Sequence, residues 1–238
     1  MTEHQIGTLS EGSLHAALKE WIAQPGDRFE VPVESYVVDV LRSGLIIEIQ
    51  TGNFTAIRRK LFDLTERYSV RLVYPIPARK WIVRLSGEDD EPISRRRSPL
   101  RGTPIHLFKE LVRMPMLPLR ERFSLELLLI NLEQVWRNDG QGSWRRQGWS
   151  LADQRLLGVV DRVVLHGVGD YARLLPVDLP DPFTTADLAG ALGERRALVQ
   201  KMAYCLRQMG VIEVADMRGR AYLYRRAELP AGHLPPEM

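Results

Sequence analysis

Residues 36–50, YVVDVLRSGLIIEIQ, decide how the first half of the chain is read. Ser43-Gly44 is a turn signal between two runs rich in valine, leucine and isoleucine, so the stretch is predicted as a β-hairpin. With a two-residue loop, Arg42 pairs with Leu45 and Asp39 stands directly opposite Glu48. One sheet face then carries Val38, Val40, Ile47 and Ile49 and is expected to lie against a helix. The other carries Val37, Asp39, Leu41, Ile46, Glu48 and Gln50, which gathers two carboxylates and an amide at one end. Like charges opposed across a hairpin are destabilising, so the pair calls for a metal, a basic side chain or a shared proton. The plain structural alternative is that both are edge residues or pair with an arginine such as Arg42.

Outward from the hairpin the pattern stays regular. Leu14, Ala17, Leu18, Trp21 and Ile22 have helical spacing, with Ser13 as a cap and Gln24-Pro25-Gly26-Asp27 as the stop. Residues 29–33 read as a strand. After Gly52-Asn53, Phe54, Ile57, Leu61, Leu64 and Tyr68 mark a second amphipathic helix, and 70–74 and 81–85 read as two further strands. The order α-β-β-β-α-β-β predicts an α/β or α+β unit in three layers.

A divalent cation is an economical compensation for Asp39 and Glu48. Mg²⁺ takes oxygen ligands, is held by one or two carboxylates, and can activate water toward a phosphodiester. Asp39 followed by Glu48-Ile49-Gln50 on the partner strand, after a helix and a first strand, resembles the PD-(D/E)XK nuclease superfamily. The resemblance covers roughly residues 10–85 and implies a restriction-endonuclease-like αβββαβ core binding Mg²⁺ or Mn²⁺. It implies that Asp39 is the motif aspartate and Glu48 the second metal ligand. Gln50 stands where the family usually has lysine, and an amide cannot supply that positive charge. In divergent members a basic residue of the following helix fills the gap, which points to Lys60, with Arg58 or Arg59 behind it. The family's first-helix glutamate points to Glu11, with Glu20, Glu30 and Glu34 as further choices. His15 is read first as a surface helix histidine, with a place near the first helix's active face as the alternative.

The second half reads differently. Thr184 and Asp187 have capping-box spacing, Leu188, Ala189 and Leu192 give a short helix, and Gly193 ends it. Leu198, Met202, Cys205, Leu206 and Met209 form the stripe of a second helix ended by Gly210. Strands at 211–214 and 221–225 flank Met217-Arg218-Gly219-Arg220. This pattern resembles a winged helix-turn-helix, which implies nucleic acid, DNA first, as partner. Arg195, Arg196, Gln200, Lys201 and Arg207 of the second helix, with Arg218 and Arg220 of the wing, are the expected contacts. Between the two halves, 107–112 suggest a helix, 123–135 one or two strands, and 153–165 a helix. Trp136, Trp144 and Trp149 flank a loop with Arg145-Arg146, a pairing able to stack on bases, although tryptophans more often anchor a core. The expected division is 1–90 nuclease-like domain, 91–120 connector, 121–180 middle α+β region, 181–228 winged helix and 229–238 tail. Residues 87–104, GEDDEPISRRRSPLRGTP, read as a linker or exposed loop.

Composition sets the outer bounds. The chain has 238 residues, 45% hydrophobic and 26% charged, the balance of a globular protein. No run approaches the ~20 apolar residues of a membrane helix, and the first residues lack a signal-peptide pattern. The single Cys205 excludes an intrachain disulfide and a multi-cysteine zinc site, and fits a reducing cytoplasm. Of 33 basic residues five are lysines and 28 arginines. The first 90 residues are slightly acidic and the remainder basic, which suits a polyanion bound by the second half or simply reflects arginine-rich codon usage. There is no nucleophile elbow, phosphate-binding glycine loop or His-Glu-x-x-His. The first expectation is therefore a cytoplasmic, metal-dependent DNA-processing protein, with a homodimer as the form suited to cutting two strands. The rival is a non-catalytic winged-helix DNA-binding or adaptor protein on a relic nuclease fold.

Overall fold

A computed structural model describes residues 12–86, 91–140 and 148–228. Helix α1 (Ser13–Ile22) leads into a meander of β1 (Arg28–Val33), β2 (Tyr36–Arg42) and β3 (Leu45–Ile49). Helix α2 (Phe54–Leu64) then crosses to β4 (Ser69–Leu85), which runs parallel to β3, with Ile46 beside Val70 and Ile49 beside Val73. Strand β5 (Pro92–Arg97) pairs antiparallel with the far end of β4. A 3₁₀ turn (Pro104–Leu107) and α3 (Phe108–Leu111) carry the chain to β6 (Phe123–Asn138), parallel to β4, and β7 (Trp149–Leu165) returns antiparallel beside β6. The strands make one mixed seven-stranded sheet in the order β1-β2-β3-β4-β6-β7, with β5 on the side of β4 that β3 leaves open.

Two apolar clusters sandwich this sheet. On one side Leu14, Leu18 and Ile22 of α1 bury against Val40, Ile47, Ile49, Val73, Leu128 and Ile130. On the other, Phe54, Leu61 and Leu64 of α2 join Leu107, Phe108, Leu111 and Met114. Burying a leucine or phenylalanine of this kind stabilises by about 1.5–3 kcal/mol, so helix spacing and sheet faces determine each other.

The remaining elements are α4 (Val168–Ala172), α5 (Thr185–Leu192), α6 (Arg196–Gln208) and a hairpin of β8 (Ile212–Arg218) and β9 (Ala221–Arg226). The reciprocal capping box of Thr184 and Asp187 starts α5, and Gly193 ends it at φ +63°. Phe183 bridges Tyr224, which ties the segment before α5 to the hairpin. Leu198, Val199, Met202, Cys205 and Leu206 of α6 enter the same apolar cluster as α2 and α3.

Several expectations need correction. Residues 121–180, expected as a separate region, supply β6 and β7 of the one sheet, so divisions at 90 and 120 run through it. Residues 153–165 belong to a strand, not a helix. The leucines there fit either period, but Val159, Val160, Val163 and Val164 favour a strand, and bulges beside Val159 and Leu156 blur its alternation. The stretch read as a linker contains β5. The two strands expected at 70–74 and 81–85 are one strand that runs through Pro75 and Pro77. Those prolines lie where β3 has ended and β5 not yet begun, an edge on which a missing N–H costs little.

Candidate functional site

The hairpin turn has the geometry its sequence demands. Ser43 (φ +45°) and Gly44 (φ +87°) both lie in the left-handed region, as a two-residue turn matching the strand twist requires. The register is Arg42 with Leu45, Leu41 with Ile46 and Val40 with Ile47. The ladder stops there, at the level of Asp39 and Glu48. Beside them on β1, Glu30 has φ +49° and is skipped between the Phe29–Val40 and Val31–Val38 pairs. The expected common face for Val38, Val40, Ile47 and Ile49 is therefore not formed. Val40, Ile47 and Ile49 pack with α1, whereas Val38 packs with α2. The alternation of β2 reverses around Asp39, and the two carboxylates are drawn toward opposite helices.

Asp39 meets α1. Its Oδ2 accepts the Ile49 N–H at 2.7 Å and lies 3.3 Å from His15 Nε2. The same Nε2 is 3.1 Å from the Ile49 carbonyl. Burial pushes the Asp39 carboxyl up, but the His15 and Ile49 hydrogen bonds more than offset it and hold it below the usual carboxylate range. Glu48 meets α2. Its side chain is nearly buried, and its Oε2 accepts from Lys60 Nζ at 2.6 Å. Burial outweighs the Lys60 charge, and with the Asp39 charge adding to it the Glu48 carboxyl is pushed up to about 7. Glu48 Oε1 is buried and has no hydrogen-bond partner among the described residues.

Lys60, on helix α2, is mostly covered and also donates to the Val37 carbonyl at 2.7 Å. Gln50 continues the β3–β4 ladder through its backbone, donating to the Val73 carbonyl at 2.9 Å. Its side-chain Nε2 donates to the Gly52 and Asn53 carbonyls and so shapes the turn into α2. Arg42 pairs with Asp27 and holds the Ile22 carbonyl at the end of α1, so it does not neutralise the carboxylates. Arg58 lies over Phe62 and Arg59 beside Asp63, while Glu30 and Glu34 pair with Lys19 and Arg67. Glu20 is exposed, and Glu11, Trp144, Arg145 and Arg146 lie outside the described residues.

His15 is the residue that sequence reasoning ranked too low, because no local pattern reports which face of α1 meets the hairpin. It lines a cavity of about 390 Å³ with Thr51 and residues 151–154 of β7. A groove of about 740 Å³ shares Leu151, Ala152 and Asp153 with that cavity and continues past Arg95, Arg137 and Arg155. Among the described residues no three His, Cys, Asp or Glu side chains form a ready-made metal cluster. The oxygen donors present are Asp39 Oδ2, the Ile49 carbonyl and the partnerless Glu48 Oε1, which are hard ligands of the kind Mg²⁺ and Mn²⁺ take. A buried carboxylate oxygen without a partner is costly, and a cation there would relieve it.

The second group of residues lies on α6 and its hairpin. Arg196, Gln200, Tyr204 and Arg207 are exposed at helical spacing, and Arg218 and Arg220 are exposed at the hairpin tip. The Arg207 guanidinium lies 5.9 Å from the centre of the Tyr222 ring, joining helix to hairpin. Tyr204 and Tyr222, about half exposed, were not anticipated. Arg195 and Lys201 sit near Lys109 of α3, whose pKa burial and these charges lower.

These features define a mixed α/β protein with a large sheet, a carboxylate–lysine–histidine constellation and a basic helix–hairpin segment. The chain belongs to the family described as Domain of unknown function (DUF8091), which matches residues 12–166. That span runs from α1 through β7 and takes in His15, Asp39, Glu48, Gln50 and Lys60. The chain is also similar to an "Uncharacterized protein" of Treponema pallidum (strain Nichols), 30% identical over 232 residues, which is 97% of this chain and 91% of the relative. No solved structure matches. Among the described residues no helix is long and apolar enough to cross a membrane.

Proposed function

We propose that this chain is a metal-dependent nuclease-like DNA-processing protein of the cytoplasm, with a winged-helix module that holds the DNA. The observation that carries the reading is the meeting of Asp39, Glu48 and Lys60 at the end of a hairpin whose second strand runs parallel to β4. The order of α1, β1–β3, α2 and β4 supports a restriction-endonuclease-like core. The α5–turn–α6–hairpin sequence with its Phe183–Tyr224 bridge supports a winged helix.

When bound, Mg²⁺ or Mn²⁺ would supply Lewis acidity and an acidified water. The chain's own residues do the rest. Asp39 and Glu48 offer the carboxylates, and the Ile49 carbonyl adds an oxygen. Lys60 holds Glu48 in place and sets a positive charge where a phosphodiester gains negative charge. Gln50 fixes the turn that brings α2, and with it Lys60, to the site. On α6 and the hairpin, Arg196, Arg207, Arg218 and Arg220 contribute phosphate contacts, and Gln200 and Tyr204 stand where base edges would be reached.

A second reading is favoured by two observations: the Gln50 amide is committed to backbone carbonyls, and Lys60 is already paired with Glu48. In that reading the sheet is a non-catalytic scaffold and the winged helix alone binds DNA. The two are separated by incubating purified protein with labelled duplex, single-stranded and branched DNA in Mg²⁺ or Mn²⁺, beside Glu48→Ala. Cleavage by the parent and not by the variant supports the nuclease reading. DNA retention without cleavage in either metal supports the scaffold.

A further inference from the structure

The first turn of α1 brings an imidazole between two oxygens of the hairpin. His15 Nε2 is 3.3 Å from Asp39 Oδ2 and 3.1 Å from the Ile49 carbonyl. Adjacent ligands on an octahedral divalent ion with bonds near 2.1 Å are about 3.0 Å apart. The nitrogen thus already lies close to the spacing of a neighbouring ligand from each of the two oxygens. The histidine is not sealed in, because it lines the cavity shared with Thr51 and β7. On the adjoining strand Glu48 turns to α2, near enough for the Asp39 charge to act on it, and its Oε1 is buried without a partner among the described residues.

We propose that His15 is a metal ligand through Nε2, and that the site therefore takes a first-row transition metal in preference to Mg²⁺. This rests on the metal-dependent reading above and sharpens it. Mg²⁺ is a hard ion that favours oxygen, whereas imidazole suits the borderline first-row ions. A donor set of one nitrogen, a carboxylate and a carbonyl is satisfied by Mn²⁺ and its neighbours and is less well matched to Mg²⁺. His15 then takes the role for which the family resemblance pointed to a first-helix glutamate, Glu11.

The test uses the full chain and the metals alone. Mn²⁺ binding is followed by electron paramagnetic resonance, with Mg²⁺ as competitor, for the parent, His15→Ala, His15→Gln and Asp39→Ala. The parent is expected to bind Mn²⁺ at least about tenfold more tightly than Mg²⁺ and to show nitrogen modulation of the Mn²⁺ echo. His15→Ala should lose the nitrogen signal and weaken Mn²⁺ binding about 10–100-fold, with Mg²⁺ affinity little changed. His15→Gln retains a hydrogen-bond donor toward Asp39, so it should stay folded by circular dichroism and still lack the nitrogen signal. Mn²⁺ binding that lacks nitrogen modulation and survives His15→Ala, yet is lost in Asp39→Ala, overturns the role of His15 and leaves the carboxylate site standing. Failure of the parent to bind Mn²⁺ overturns both.

Discussion

Lys60 and Glu48 form a close charged contact at the hairpin end, and the glutamate is still pushed up to about 7 because burial exceeds what one ammonium returns. The native carboxyl holds its proton to about pH 7, the free one to about 4.5. Between those values the native state binds more protons than the unfolded chain, so stability of the metal-free protein falls as pH rises. The full swing is roughly 3 kcal/mol, set by a shift of that size. Urea unfolding at pH 5 and pH 8 should show this slope in the parent and a flatter one in Glu48→Gln; equal slopes would assign the effect elsewhere. At this scale Asp39 and Glu48 were legible because like charges at matched hairpin positions are conspicuous. Lys60 entered only through the family resemblance. His15 was not legible, because which face of α1 meets the hairpin depends on the reversal at Asp39, and no periodicity reports that reversal.

The hairpin, α1, α2 and α5 were readable as elements because each carries its own local signal: a turn pair with two left-handed residues, an apolar stripe, a capping box. Thr184 Oγ1 accepts from the Ala186 and Asp187 amides and the Thr184 N–H donates back to Asp187 Oδ2, so Thr184→Ala should lower stability by about 1 kcal/mol, measured by chemical denaturation. An unchanged midpoint would mean that tertiary packing alone holds α5. The long strands were not readable. β4 passes two prolines and a bulge beyond Pro77, and β7 carries bulges that break its alternation into helix-like spacing. Their extended form is set by each other, through ladders with β6 that no local window contains.

Across the whole molecule, Leu61, Leu111, Met114, Met202, Leu206 and Ile212 belong to one apolar cluster, which joins the sheet to the basic helix–hairpin segment. Thermal unfolding should therefore show one cooperative transition by both far-ultraviolet dichroism and tryptophan fluorescence; two separated transitions would mean the parts fold independently. The sequence-level division failed here because composition marks exposed stretches, whereas the core is built by contacts far apart in the chain. DNA affinity should fall steeply with salt, and Arg218→Ala with Arg220→Ala should reduce the log–log slope by about 2. An unchanged slope would remove the hairpin tip from the interface. The most direct measurement is the single-turnover rate of DNA cleavage in Mg²⁺ and in Mn²⁺ for the parent, Asp39→Asn, Glu48→Gln and Lys60→Ala, each shown to be folded. The expected result is cleavage by the parent with a loss of at least about a hundredfold in every variant; equal rates in all four proteins would contradict a working site at the hairpin.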